Sequence, residues 1–211
     1  EDFLLWAMLG IIAGGRIGYI IFYNLSYYIS NPTKIFYVWQ GGMSFHGGLI
    51  GIILVTFFFT NKNNIKFFAL LDLICSAAPI GIFFGRISNF LNGELWGRES
   101  TMPWAIIFKC AGALPRHPSQ LYEAFLEGIL IFAIIYYSIF KLNFLNSPGK
   151  ISGLFCILYS SSRIMIEFFR EPDRHIGLIY SNYTMGMLLS LPLLIIGIYL
   201  FLSKNNQLNK E

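Results

Sequence analysis

Charge is scarce in this chain: lysine, arginine, aspartate and glutamate make up only 12% of its 211 residues, against 55% apolar and 18% aromatic. Soluble domains average about 25% charged and about 45–50% apolar residues, so the composition excludes a water-facing globular protein and points to an integral membrane one. Cysteine is sparse as well. Cys75, Cys110 and Cys156 show no metal-ligand spacing and cannot build a disulfide framework. Cys75 and Cys156 read as small packing residues inside apolar stretches, and Cys110 as a loop thiol without a role. HExxH, GxSxG and P-loop patterns are missing, which removes support for zinc proteolysis, elbow-type serine hydrolysis and nucleotide-driven transport. Nothing in the sequence resembles a cleavable signal peptide, since the first apolar stretch has an acidic flank and no small-residue cleavage site. The net charge of +4 does not cluster on a soluble face, so nucleic acid is not an expected partner.

What the chain does have is apolar length. Six stretches approach the roughly 20 residues that cross hydrocarbon: Phe3 to Phe22, Met43 to Thr60, Phe67 to Phe84, Leu121 to Phe140, Ile151 to Phe169 and Tyr183 to Leu202. None alternates like a strand, and lipid admits only helices or closed barrels, so each is predicted to be helical. The expected fold is all-α, a polytopic integral membrane protein of six spans forming one domain over residues 1–211. Lys62, Lys66, Lys141, Lys150, Lys204 and Lys210 mark three connections as cytoplasmic by the positive-inside rule. Residues 85–120 then form the one sizeable outward-facing loop region. The chain starts at Glu1 without methionine, so an N-terminal truncation is expected.

Against this background residues 85–98, GRISNFLNGELWGR, set two arginines, two asparagines, a glutamate and three glycines directly after an apolar stretch. An arginine at mid-membrane costs roughly 2.5–3.5 kcal/mol on insertion scales, so it points to function and requires a partner. With the assigned orientation, Arg16, Arg86, Arg163, Glu167, Glu123 and Glu127 all gather toward the outer face. Arg163, Glu167 and Arg170 stand at i, i+4 and i+7 on one stripe, and Arg86 and Asn89 at i, i+3. An internal salt-bridge network with Glu94, Glu123 or Glu167 is one reading of these arginines; an anionic ligand is the other, favoured by their number on one face together with Arg16, Arg98 and Arg170. Glu167 is well placed to orient the arginines on either side of it. His46, at the start of FHGGLIG, is either an interfacial histidine or a general base or substrate-orienting group. Its glycine neighbours permit close approach of backbone or ligand. Asn89, Asn92 and Gly93 fit a helix C-terminus, while Trp96 and Tyr122 fit an aromatic belt, with Tyr122 also a candidate substrate contact. His117 lies inside a motif and His175 outside one, neither with a partner that can be named.

The blocks GGMSFHGGLIG (41–51), GRISNFLNGELWGR (85–98), LPRHPSQLYEA (114–124) and RIMIEFFREPD (163–173), with GGRIGY (14–19), resemble in order the signature blocks of bacterial prolipoprotein diacylglyceryl transferases over nearly the whole chain. The resemblance implies a multi-pass enzyme of the bacterial inner membrane with its active site toward the outer face. It implies transfer of the diacylglyceryl group of phosphatidylglycerol to the lipobox cysteine thiol of a preprolipoprotein, giving a thioether and glycerol phosphate. On matching positions, Arg86 corresponds to the phosphatidylglycerol-binding arginine and Arg163 to a second essential arginine. Asn89, Glu94 and Gly97 correspond to sensitive positions of the same block, and His46 to the histidine proposed as base. The family has seven spans, so the first is expected to be absent here, and the loop between Arg98 and Leu114 is shorter than in some members.

The reaction suits these residues. Arginine offers a planar, permanently charged fork to a phosphate whose charge grows as the carbon–oxygen bond breaks, and a thiol with a pKa near 8.5 needs a base or a cationic field to become thiolate. The expected catalytic set is Arg86, Arg163, His46 and Glu94, with Arg86, Asn89, Gly97, Arg163, Glu167, Arg170 and Tyr122 binding substrate, and no metal or other cofactor. The competing classes are a transporter or flippase for an anionic substrate and a non-catalytic lipid-binding scaffold. Polar residues collected at one face, with Asp72 the lone counterpart at the other, and the lack of an internal repeat disfavour alternating access. The density of Arg, Asn, Glu and His in four blocks is excessive for a scaffold.

Overall fold

The computed structural model describes residues 2–172 and 184–203. The chain folds as two compact units, Glu1–Leu70 and Leu71–Glu211.

In the first unit, α1 (Asp2–Tyr23) leads through a short α2 (Leu25–Ser30) and two 3₁₀ turns, Pro32–Phe36 and Val38–Gln40, into α3 (Phe45–Asn63). Gly10, Gly14 and Gly18 recur every fourth residue on one face of α1 and meet Gly47 and Gly51 of an antiparallel α3. A Cβ on Gly14 would lie 2.4 Å from the Gly47 carbonyl oxygen, and one on Gly51 2.1 Å from that of Gly10. Side chains are therefore excluded and the backbones touch, the small-residue mode of helix association. Ser44 caps α3, its hydroxyl accepting from Gly47 N at 3.2 Å, while Ser44 N donates to Gly15 O at 2.9 Å. The glycines of FHGGLIG thus serve backbone-to-backbone approach.

The second unit contains most of α4 (Phe67–Asn92), then α5 (Ser119–Glu123), a π-helical segment (Ala124–Leu130) and α6 (Ile131–Phe140) as one continuous helix, then α7 (Lys150–Ile166) and α8 (Met185–Leu202). Cys75, Ile131, Ile135 and Ile151 form its buried apolar core. α7 and α8 run antiparallel and close together: a Cβ on Gly153 would meet Phe201 N at 2.7 Å, and one on Gly197 would meet Ile157 N at 2.9 Å. Asp72, the acid at the opposite end from the other charges, proves to be a cap supplied by a neighbouring helix. Its carboxylate accepts from Gly149 N (2.7 Å), Ser152 N (2.8 Å) and Ser152 Oγ (2.6 Å), satisfying amides that α7 leaves unpaired at its start.

Helices occupy all six predicted stretches, and among the described residues no β-strand forms, only three isolated bridges. Among the described residues four helices are long and apolar enough to cross a membrane: Asp2–Tyr23, Phe67–Asn92, Ser119–Phe140 and Met185–Leu202. Of the other two, α7 stops before its expected end and α3 runs past its own. α7 ends at Ile166, before Phe169, because the chain turns there with Phe169 N and Arg170 N both donating to Ile166 O. α3 closes on the polar residues Thr60, Asn61, Lys62 and Asn63. The surface is inverted relative to a soluble protein: Leu91 is 77% and Ile195 67% exposed, while Asp72, Glu123 and Glu127 are buried.

Candidate active site

Three helices of the second unit converge on charge. Arg86 projects from the last turns of α4, Glu123 and Glu127 from α5 and the π-helical segment, and Arg163, Glu167 and Arg170 from the end of α7 and the turn after it. Glu123 is the hub. Its Oε1 accepts from Arg163 Nη1 at 3.2 Å and Arg170 Nη1 at 3.1 Å, and its Oε2 lies 2.7 Å from Arg86 Nε. That last contact is off the line of a hydrogen bond and is ionic. Arg86 Nη2 also reaches Glu127 Oε2 at 3.2 Å, and Arg163 Nη2 pairs with Glu167 one turn along. The carboxylates are sealed, Glu123 and Glu127 wholly, whereas the Arg86 and Arg163 side chains keep 18% and 14% of their surface accessible. The cluster therefore buries its anions while leaving part of two arginine side chains accessible. Glu127 emerges from a turn widened by i→i+5 bonding, a distortion common at functional sites.

A platform of irregular chain from Gly93 to Pro118 adjoins the cluster. Antiparallel bridges link Gly97 with Arg170, Glu99 with Arg116 and Ile106 with Arg116. Gly97 is buried where a Cβ would lie 2.6 Å from the carbonyl oxygens of both His117 and Phe169, so only glycine admits this crossing. Arg116, also buried, bonds Gly97 O (3.3 Å), Glu99 (3.2 Å) and Glu171 (3.2 Å), while Arg98 Nε donates to Arg170 O at 3.0 Å. The Tyr122 hydroxyl accepts from Trp104 Nε1 at 2.7 Å and sits 3.1 Å from His117 Nδ1, with the His117 and Tyr122 rings against Phe169. Glu94 is exposed and accepts from Asn89 Nδ2 (2.9 Å) and Asn92 Nδ2 (3.3 Å), closing the end of α4. Gln120 Nε2 then ties the Glu94 carbonyl back at 2.6 Å.

Of the residues singled out in the sequence, Arg86, Arg163, Glu167 and Arg170 come together. Tyr122 and Gly97 belong to the platform, and Asn89 pairs with Glu94 at the close of α4. His46 lies in the other unit, exposed at the second position of α3. His175 falls outside the described residues. Two expectations change. Of the three acids expected as partners of Arg86 and Arg163, Glu123 and Glu167 pair with them and Glu94 does not, and Glu127 joins them. Arg16 is taken up by backbone, with no carboxylate partner among the described residues: it is buried, donates to the carbonyls of Lys34, Ile35, Tyr37, Gly41 and Gly42, and stacks on Tyr28 with its guanidinium carbon 5.1 Å from the ring centre. Glu123 is one of the acids the sequence offers as a partner to these arginines and is paired with them here, while neither it nor Glu127 is among the expected site residues. Two carboxylates at i, i+4 in an apolar run were the available signal, since such a pair demands cations from neighbouring helices.

A helical protein with apolar side chains outward and a buried arginine–carboxylate centre has the build of a membrane protein with a polar site. The chain belongs to the prolipoprotein diacylglyceryl transferase family, whose model matches residues 1–203. It is 51% identical over 200 residues to the phosphatidylglycerol–prolipoprotein diacylglyceryl transferase of Rhizobium meliloti, covering 94% of this chain and 71% of the relative. The protein of that name from Brucella anthropi is 48% identical over 212 residues, covering 100% and 75%, and the one from Zymomonas mobilis 48% over 207 residues, covering 98% and 72%.

Proposed function

We propose that this chain transfers the diacylglyceryl group of phosphatidylglycerol to the lipobox cysteine thiol of preprolipoproteins, forming a thioether and releasing glycerol phosphate. The observation that carries the reading is the convergence of Arg86, Arg163 and Arg170 on one sealed carboxylate, with part of the arginine surface left accessible. In the reaction the thiol loses its proton, sulfur bonds to the glyceryl carbon, and the carbon–oxygen electron pair passes to the departing phosphate. That oxygen gains charge in the transition state, where preorganised arginines act most strongly. Arg86 and Arg163 form the clamp; Glu123 and Glu167 hold its geometry. Asn89, Glu94, Gly97, Arg170 and Tyr122 shape the substrate site, and His46 is the candidate base, with the arginine field as the other means of forming thiolate.

The chain acts in the bacterial inner membrane as one multi-pass domain over residues 1–211, with the cluster and the 85–120 loop region toward the outer face. Support comes from its outward apolar helices and from α4 and α7. Asp72 holds the start of α7 near the start of α4, and Arg86 and Arg163 meet near their far ends, so both helices carry their arginines to the same end. The lysine-bearing connections mark the other end as cytoplasmic.

The test reconstitutes the protein in vesicles with labelled phosphatidylglycerol and a lipobox peptide and assays a hydrolysis-resistant thioether. Arg86→Ala and Arg163→Ala should abolish product while leaving membrane insertion intact. Arg163→Lys should restore little, because a point charge lacks the bidentate fork; full activity there would overturn the clamp. A near-normal rate in His46→Asn would dismiss that histidine as base.

A further inference from the structure

Glu127 engages the cluster through one oxygen only. Oε2 meets Arg86 Nη2 at 3.2 Å, whereas Oε1 is buried without a hydrogen-bond partner among the described residues. The charged and titratable groups facing it are Arg86 from α4, Glu123 one turn back on its own helix, and Arg163 and Tyr159 from α7. Among the described residues three arginines and three carboxylates cancel in this cluster, and a phosphodiester brings one further negative charge that becomes two when the carbon–oxygen bond breaks. Net negative charge in a water-poor site is costly unless it is paired or neutralised. Glu123 cannot relieve it, since all three arginines lean on that carboxylate. Glu167 is paired with Arg163 and lies against the first turn of α8, where a Cβ on Gly186 would touch it.

We infer that Glu127 is a positioning residue that takes up one proton as the lipid phosphodiester binds, freeing Arg86 to turn from the carboxylate to the phosphate. The inference rests on the transferase reading above. The proton comes from water on binding, stays on Glu127 while sulfur replaces oxygen at the glyceryl carbon, and returns to water when glycerol phosphate departs. The proton lost by the acceptor thiol leaves separately, so charge and atoms balance. Glu127 does not touch the reacting atoms; it sets how many cationic charges the clamp has free.

Titrating phosphatidylglycerol calorimetrically into the purified full chain in detergent, without acceptor peptide, in two buffers of different ionisation enthalpy counts the protons exchanged. The unmodified protein should take up about one proton per lipid bound, and its Kd should weaken about tenfold per pH unit on the alkaline side of that uptake. Glu127→Gln should bind with no proton uptake and a flat pH profile, and keep measurable transfer. No uptake by the unmodified protein, or unchanged uptake in Glu127→Gln, overturns the inference, and the first of these needs no folded variant. Thioether formation without proton uptake would defeat this proposal alone; proton-linked lipid binding without thioether would defeat the catalytic reading alone.

Discussion

Replacing Glu123 by glutamine isolates the charge of the hub while keeping its size and one acceptor. The carboxylate is fully buried and stands 2.7, 3.2 and 3.1 Å from Arg86, Arg163 and Arg170. Removing one partner of a buried ion pair costs about 3–5 kcal/mol, because the other charge stays desolvated. Three stranded arginines would push the figure up. Against this, Arg86 keeps Glu127 and Arg163 keeps Glu167, so the range stands. At about 2–4 °C per kcal/mol for a chain of this size, the melting temperature should fall by about 6–20 °C. Glu171→Gln serves as control. That carboxylate is 40% exposed where it meets Arg116, and its loss should cost about 0–1 kcal/mol. The assay is thermal unfolding of purified protein in detergent followed by intrinsic fluorescence. A Glu123→Gln protein that melts with the control would refute the claim that this carboxylate holds the arginines in place.

Three further outcomes follow from the packing. Asp72→Ala strands two amides and a hydroxyl at the start of α7 and should cost about 2–3 kcal/mol, seen as a lower melting temperature; an unchanged one would show that the cap is dispensable. Gly14→Leu drives a side chain into the Gly47 carbonyl and should lower stability by about 1–3 kcal/mol or more, since backbone on both sides must part, whereas Ile17→Leu on the exposed face of α1 should be silent. Gly186→Ala would place a carbon 2.3 Å from Glu167 Oε1 and 3.2 Å from Arg163 Nη2, so transfer should drop while the chain still inserts. Wild-type transfer in that variant would mean that the Arg163–Glu167 pair can relax without consequence.

Much of the fold was legible because its signals are local. Apolar length located the helices, and glycines in FHGGLIG announced a close approach. The gathering of Arg86, Arg163, Glu167 and Arg170 was readable from helical spacing plus the positive-inside rule. What escaped depends on contacts between distant segments. Periodicity shows that Arg163 and Glu167 share a face, but not that Glu123 on another helix is the acceptor for three arginines. Arg16 looked like one more cation for a ligand, yet the turns after α2 leave carbonyls without helical donors, and a buried guanidinium with five N–H groups satisfies them. Gly97 drew notice as part of a motif, but the reason only glycine fits is a crossing with His117 and Phe169, residues 20 and 72 positions away. The π-helical turn leaves no mark in the residue pattern at all, since one inserted residue per turn preserves apolar composition.

About 21 Å of helix separates Asp72 from Arg86 on α4. Each end is pinned to α7, the first directly at Gly149 and Ser152, the second through the Glu123 carboxylate that Arg163 shares. A rod fastened at both ends works as a gauge: it tolerates changes of side chain between the pins but not changes of length. One inserted residue would swing Arg86 by about 100° around the axis and out of reach of both glutamates while Asp72 stayed seated, so the stretch between them should accept substitution on its exposed face, at Leu73, Ile80 and Phe84, and indels not at all.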